Sequence, residues 1–171
     1  NASRGNSTEI SIVETDVYKT IAASSEGIYK EKGSRFISLA YPVVTEDEIR
    51  EIVSRLKEKY YDARHHCYAW RLGAAKTHFR ANDDGEPSST AGKPILGQIQ
   101  SNDLTNILIV VVRYFGGIKL GVSGLINAYR EAAADAIANA EIIEKTVDEQ
   151  LRIQFSYLAM NDVMKIVKEI S

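Results

Sequence analysis

The sequence has little cysteine, no long hydrophobic run and almost no net charge, and each shortage excludes a class of protein. Only one of its 171 residues is cysteine, Cys67, so an intrachain disulfide is excluded and a reducing, cytosolic setting is expected. The longest apolar run, residues 107–112, is far shorter than the roughly 18 residues that span a bilayer. A net charge of −2 argues against a surface that is basic all round. What remains is an ordinary globular composition, 44% hydrophobic and 26% charged.

Positive charge is nevertheless concentrated in two segments. Residues 61–80 contain four basic side chains and one acidic one, and residues 105–130 contain three basic side chains and no acidic one. Residues 131–171 carry a net charge of −4. This asymmetry predicts one basic surface on a nearly neutral protein, and a solvated face without a partner is the alternative.

Hydrophobic periodicity and turn residues predict a chain that mixes strands and helices. Strands are predicted at 21–29, 35–43, 65–72, 77–81, 106–115 and 149–157, and helices at 46–60, 94–101, 123–140 and 161–170. Thr45 and Glu48 have the spacing of a capping box, and Ser123 is expected to cap the third helix. The strand at 106–115 is apolar on both faces and should therefore be central.

The loop at residues 83–94 resembles a phosphate-binding loop, because it holds two glycines, several hydroxyls and a lysine after the second glycine. A P-loop needs glycine five positions before Gly92 and a hydroxyl residue after the lysine, and these positions hold Pro87 and Pro94. The segment around Ser123 resembles a nucleophile elbow, but Leu125 stands where the second glycine is required. Both of these active-site motifs are excluded.

Residues 65–67 raise the question of a zinc site. Structural zinc takes four ligands, usually in paired spacings. The single cysteine and the three histidines would all be needed to supply them. On a strand His65 and Cys67 would face one way and His66 the other, so we expect no metal. The carboxylates at 83–86 could bind a hard cation, but an Asp-Gly pair before proline is more typical of a turn.

An anion-binding surface is the motif that survives these tests. The two predicted helix starts after residues 90 and 123 offer backbone N–H groups suited to phosphate. Lys93, Arg113 and Lys119 could add charge nearby, and the rings of Tyr114 and Phe115 could stack on bases. Because side chains alternate between the two faces of a strand, only one of those rings can be a stacking surface. The glycines could equally be structural, as sharp turns.

Several blocks of the sequence resemble the IMPACT/YigZ family. They are RHHC at 64–67, DDGEPS at 83–88, TAGKP at 90–94 and VVRYFGGIKLG at 111–121, with GL at 124–125 and AY at 128–129. Two positions depart from the family pattern. Ser89 replaces a usual glycine, and Asn127 replaces a usual basic residue, which removes one positive charge.

The resemblance implies a bacterial family member whose first domain has the fold of the second domain of a small-subunit ribosomal protein, related to domain IV of elongation factor G. It also implies a ferredoxin-like second domain, of which this chain holds one strand and one helix. Eukaryotic members of the family regulate translation by competing for an activator of an initiation-factor kinase. The fold expected is therefore α+β, a two-layer α/β sandwich. The expected boundaries are a disordered or tag-derived segment at 1–16, an IMPACT-type domain at 17–141 and an incomplete second domain at 147–171, with a charged linker at 141–147 between the domains.

These observations lead to the hypothesis of a cytoplasmic, non-enzymatic binding protein linked to translation. It would contact RNA, the ribosome or a ribosome-associated factor through the loops at 83–93 and 113–121, without a cofactor, a metal or a membrane. The candidate binding residues are Asp83, Gly85, Glu86, Ser88, Thr90, Gly92, Lys93, Arg113, Tyr114, Gly116, Gly117, Lys119, Gly121 and Gly124. One alternative is an enzyme or binder acting on a nucleotide or a phosphorylated small molecule. The other is a protein-interaction module without nucleic-acid contact.

Overall fold

Seven strands and three helices make up the part of the chain that the computed structural model describes, residues 17–147. The strands are β1 (Val17–Ile21), β2 (Ser25–Glu31), β3 (Ser34–Pro42), β4 (His65–Leu72), β5 (His78–Asn82), β6 (Ile107–Tyr114) and β7 (Ile142–Thr146). The helices are α1 (Glu46–Lys59), α2 (Gly92–Ser101) and α3 (Gly121–Ala138). Residues 19–143 form one compact unit. The strand predicted at 149–157 and the helix predicted at 161–170 lie outside the described residues, as does the segment 1–16.

Five of the strands form an antiparallel sheet in the order β2-β3-β6-β4-β5. β6 lies at the centre, as its two-sided apolar pattern predicted, and residues 107–112 are completely buried. β1 and β7 pair in a separate two-stranded sheet. The charged stretch that was expected to be a linker is therefore largely a strand, because Ile142–Thr146 finds a pairing partner.

Helices cover both faces of the large sheet, so the prediction of two layers is wrong. The odd-numbered residues of 107–112 belong to a core shared with α2 and α3, and the even-numbered ones belong to a core shared with α1. A strand that is apolar on both faces must be covered on both to keep its side chains from water. The α+β class is confirmed, in three layers. The comparison with domain IV of elongation factor G stays a prediction.

The starts of the helices show which local signals worked. At α1 the Glu48 N–H donates to Thr45 Oγ1 at 3.2 Å, which confirms Thr45 as the N-cap. The Glu48 carboxylate reaches one residue beyond the N-cap and accepts from the Val44 N–H at 3.2 Å, a variant of the predicted capping box. The Ser123 cap is wrong, since Leu120 occupies the N-cap position of α3 and no side chain caps it. Gly121, with φ of 76°, already turns the chain into the helix two residues before the serine.

Candidate functional site

A cleft of about 370 Å³ lies where the loop before α2 meets the end of β6 and the start of α3. We call it the α3 cleft and define it by residues 64–65, 86–87, 113, 115, 119–122 and 125. Its walls combine three cationic side chains, Arg64, Arg113 and Lys119, with the apolar side chains of Phe115 and Val122. The structure thus brings together parts of the two loops that the sequence singled out.

A buried ion pair forms the inner wall of the α3 cleft. Arg113 Nη1 donates to both oxygens of the Glu86 carboxylate, at 2.8 and 2.7 Å, and the two side chains are only 8% and 3% exposed. The Tyr129 hydroxyl also donates to Glu86, and His65 Nε2 lies 3.4 Å from the carboxylate. A carboxylate this deeply buried needs such partners to offset its lost hydration. Glu86 therefore anchors its loop on the sheet rather than presenting a free charge.

Asp83 occupies the first of the two anion positions predicted from the sequence. Its carboxylate accepts hydrogen bonds from the N–H groups of Ser89 at 2.8 Å, Ala91 at 3.2 Å and Gly92 at 2.8 Å. Helix N-termini attract negative charge, and here the chain supplies that charge itself. These N–H donors are therefore already occupied within the chain, which argues against a phosphate at the start of α2.

The other predicted residues of the 83–93 loop either hold the loop in place or lie outside the α3 cleft. The buried Thr90 hydroxyl donates to the Pro87 carbonyl at 2.6 Å. A Cβ added at Gly92 would come within 2.5 Å of the Asn82 backbone nitrogen, so this glycine is required by packing against β5. Gly85, Ser88 and Lys93 are exposed but do not line the α3 cleft. From this loop, only Glu86 and Pro87 reach the cleft.

Tyr114 and Phe115 point to different sides, as strand alternation requires. The Tyr114 hydroxyl donates to Asp62 at 3.0 Å, and its ring packs against the core beneath α1. Phe115 is 39% exposed and lines the α3 cleft. The guanidinium carbon of Arg64 lies 5.0 Å from the centre of its ring. Phe115, which was absent from the candidate residues, is thus the aromatic surface of the cleft.

Of the predicted glycines of the second loop, some are required by close packing and others have open space around them. A Cβ at Gly116 would fall 2.1 Å from the Gly33 carbonyl carbon, so this glycine lets the β2–β3 turn pack against the end of β6. Around Gly117 and Gly121 a Cβ would meet nothing within 4 Å, and Gly121 lines the cleft. Gly124 lies within α3, against Leu120.

Four of the fourteen predicted residues therefore line the α3 cleft: Glu86, Arg113, Lys119 and Gly121. Arg64, His65 and Val122 line the cleft without having been proposed as binding residues, and Phe115 lines it in place of Tyr114, the ring of the two that had been chosen. The pairing of the two strands would have indicated Arg64 and His65, because His65 of β4 lies directly opposite Arg113 of β6. That register carries Arg64 to the same end of the sheet as the second loop.

The start of α3 is a second electrostatic feature of the cleft. The helix has 18 residues, no side-chain cap and no acidic residue in its first turn. Its first N–H groups have no partners within the helix and carry the positive end of the helix dipole. Since Leu120, Gly121 and Val122 line the cleft, this positive end borders the cavity.

The residues that could act as nucleophiles or metal ligands are buried or directed apart. Burial raises the pKa of the Cys67 thiol, which donates to the Asp83 carbonyl at 3.1 Å, and burial likewise raises the pKa of the Tyr129 phenol. His66 Nε2 lies 2.7 Å from the Tyr60 carbonyl oxygen, whereas His65 faces the α3 cleft. Within residues 17–147, no three His, Cys, Asp or Glu side chains converge on a metal position.

Comparison with known proteins identifies the family. The family described as the Impact N-terminal domain matches residues 32–137. The chain belongs to the IMPACT family. It is 34% identical over 152 residues to the IMPACT family member YvyE of Bacillus subtilis (strain 168), covering 89% of this chain and 70% of that protein. It is 38% identical over 128 residues to the IMPACT family member YigZ of Escherichia coli (strain K12), covering 74% of this chain and 63% of that protein.

A solved structure supports the fold of this IMPACT family chain. The crystal structure of a hypothetical protein matches with a TM-score of 0.74 and 36% sequence identity, over 77% of this chain and 65% of the other. Among the helices of residues 17–147, none has both the length and the apolar character needed to cross a bilayer.

Proposed function

We propose that this IMPACT family chain is a cytosolic, non-enzymatic binding protein linked to translation, and that it contacts ribosomal RNA through the α3 cleft. The observation that carries the proposal is the grouping of three cationic side chains, one exposed aromatic ring and one uncapped helix start around a single cavity. The link to translation rests on the family resemblance, whose eukaryotic members regulate that process.

The charges of the cleft favour an anionic partner. Glu86 is the only acidic side chain in its wall, and its charge is already matched by Arg113. Arg64 and Lys119 lie exposed at the rim, and neither forms an ion pair with any residue of 17–147. Two uncompensated cations beside an aromatic ring are the combination that binds the phosphates and bases of single-stranded nucleic acid.

The same surroundings favour binding over catalysis. A nucleophile must be accessible and activated by a neighbouring base. Cys67 and Tyr129 are buried, and burial raises the pKa of each, so both stay protonated. Glu86, which faces the cleft, is held by Arg113 and Tyr129. Glu86 therefore serves as a paired part of the cleft wall, and Cys67 and Tyr129 lie buried outside the cleft lining.

The test is co-sedimentation of the protein with ribosomes across a salt series. Lys119→Ala and Arg64→Ala should each reduce the bound fraction most strongly at low salt, because exposed charges are screened as salt rises. Lys59→Ala and Arg55→Ala are matched controls, since both residues are exposed on α1 on the opposite face of the sheet. Arg113 is unsuitable for this test because its loss would disrupt the buried pair.

Binding that falls with salt, and that falls further in the two cleft variants than in the two α1 variants, supports the proposal. Sedimentation that is equally weakened by all four substitutions would place the contact elsewhere. Absence of sedimentation at every salt concentration would overturn direct ribosome binding.

A further inference from the structure

We propose that the outer edge of β5 is a docking site for an extended acidic segment of a partner protein, which adds to the large sheet as a further strand beside β5. The site shares no residue with the α3 cleft. The inference therefore goes beyond the proposed function and does not depend on RNA binding in that cleft.

The large sheet has two edge strands, and at β2 the chain itself covers the edge. The Ile28 N–H donates to the Asp135 carboxylate at 2.8 Å, and the Glu26 carbonyl oxygen accepts from Asn139 Nδ2 at 2.8 Å. Asp135 lies in α3 and Asn139 directly follows it. Side chains of α3 thus bond to outward backbone groups of β2, as proteins commonly protect a sheet edge.

At β5 the outward backbone groups belong to Phe79 and Ala81. The Val43 N–H donates to the Asn106 carbonyl oxygen, and the strand registers carry this alternation of backbone bonds across β6 and β4 to β5. No hydrogen bond from any residue of 17–147 reaches these outward groups, and residues 78–81 are exposed. Within the described part of the chain, this edge is therefore open to another strand.

The two faces of β5 select the side chains of that strand. A groove of about 440 Å³ lies between α1 and the strands β4 and β5, and we call it the β5 groove and define it by residues 46, 49–50, 53–54, 57, 68, 70 and 80. Its lining has three cationic side chains, Arg50, Lys57 and Arg80, and one acidic side chain, Glu46. On the other face of β5, Phe79 is 48% exposed. The complementary strand alternates acidic residues, on the side of the groove, with apolar residues, on the side of Phe79.

Arg80 is the uncompensated charge at this edge. It forms no ion pair with any residue of 17–147, whereas the acidic Glu46 already lies 3.2 Å from His78 Nε2. An acidic residue opposite Arg80 would form a favourable cross-strand pair. In a symmetric antiparallel pairing of two β5 strands, Arg80 at the strand centre would face its own copy, which disfavours a second copy of this chain.

The open backbone groups favour a peptide over a nucleic acid. They offer N–H donors and C=O acceptors in alternation, and the backbone of a peptide strand matches both. A phosphodiester offers acceptors only, so it would leave the carbonyl groups of the edge unmatched.

The first experiment measures the fluorescence anisotropy of labelled synthetic peptides mixed with the full chain. A peptide that alternates glutamate with valine should bind more tightly than one that alternates lysine with valine. Arg80→Glu should weaken binding of the acidic peptide about tenfold and strengthen binding of the basic one, because it reverses the cross-strand charge pair. Lys30→Glu is the matched control, since Lys30 is an exposed cation of β2 at the opposite edge, and it should change each affinity by less than about twofold.

Methylation of the peptide backbone tests strand pairing without altering the protein. In an antiparallel added strand, the valines lie opposite Phe79 and Ala81 and direct their N–H groups toward β5, whereas the glutamates direct theirs away. Methylation of the valine nitrogens should abolish binding, and methylation of the glutamate nitrogens should preserve it. Equal affinities of the two methylated peptides would overturn strand addition.

Other outcomes would assign the edge differently. Failure of both peptides to bind, or equal effects of Arg80→Glu and Lys30→Glu, would overturn the inference. Displacement of the bound peptide by single-stranded RNA would overturn it in favour of nucleic acid. Loss of peptide binding as the chain dimerises at high concentration would overturn it in favour of a second copy.

Discussion

Replacement of Arg113 by methionine is expected to lower the free energy of unfolding by about 3–5 kcal/mol, the usual cost of removing one partner of a buried ion pair. The substitution keeps an unbranched side chain of similar length but removes two hydrogen bonds, at 2.8 and 2.7 Å, from the Glu86 carboxylate. That carboxylate is 3% exposed, so water cannot replace the lost donors. The Tyr129 hydroxyl and His65 remain near it but supply no permanent positive charge.

An exposed pair in the same unit provides the scale for this effect. Arg130 Nε lies 3.9 Å from Glu131, and both side chains are nearly half exposed. Such pairs contribute about 0–1 kcal/mol, because water and salt screen them. Arg130→Met is therefore the matched control and should leave the free energy of unfolding within about 1 kcal/mol of the parent value.

The assay is urea unfolding at pH 7, followed by circular dichroism, for Arg113→Met, Glu86→Gln, the double variant and the control. The double variant should recover much of the loss, because no uncompensated charge stays buried. A loss below about 1 kcal/mol in Arg113→Met, comparable with that of the exposed control, would refute the assignment of a buried pair.

Four further predictions concern the loop and the core. Asp83→Ala should lower the free energy of unfolding by about 1–2 kcal/mol in urea titrations, through loss of the α2 cap, and an unchanged midpoint would contradict the capping role. In the same helix Gly97→Ala should raise the free energy of unfolding by about 0.5–1 kcal/mol, since a Cβ there meets nothing within 4 Å. Gly92→Ala should lower it by about 1–3 kcal/mol, because a Cβ there would collide with the backbone of Asn82. Changes in the same direction for both variants would contradict this packing. Burial raises the pKa values of Cys67 and Tyr129 in the folded state, so the unfolded chain releases these protons first and stability should fall as pH rises above about 8.5. Cys67 should react with a thiol reagent only at the rate of unfolding, and rapid modification of the native protein would contradict its burial.

Local sequence signals were sufficient for most of the secondary structure. The strand at His65–Leu72 was predicted with its observed ends, and α1 was predicted to within one residue, because its capping box and apolar stripe agree. The prediction for the start of α3 was wrong because the helix begins through a glycine turn rather than at the serine. Hydroxyl residues are common N-caps, but their presence does not oblige the chain to use them.

The composition of the site was harder to predict, since it depends on contacts between residues far apart in the chain. Lys119 and Arg113 were predicted from their charge near glycines, but the pairing of Arg113 with Glu86 joins residues 27 positions apart. The use of Asp83 as a cap eight or nine positions before the helix likewise has no local signature. The third layer was not predicted. The apolar stripe of α1 shows that the helix packs against the sheet, but it does not show which face of the sheet the helix covers.

The most direct test of the claim that the α3 cleft recognises nucleic acid is the salt dependence of binding to a fluorescent single-stranded RNA, followed by anisotropy. For single strands the slope of log affinity against log salt changes by about 0.7 for each phosphate contact. Lys119→Ala is expected to flatten this slope by about that amount, and Lys59→Ala is expected to leave it unchanged. An unaltered slope in Lys119→Ala, or the same flattening in both variants, would contradict the cleft as the site of phosphate contact.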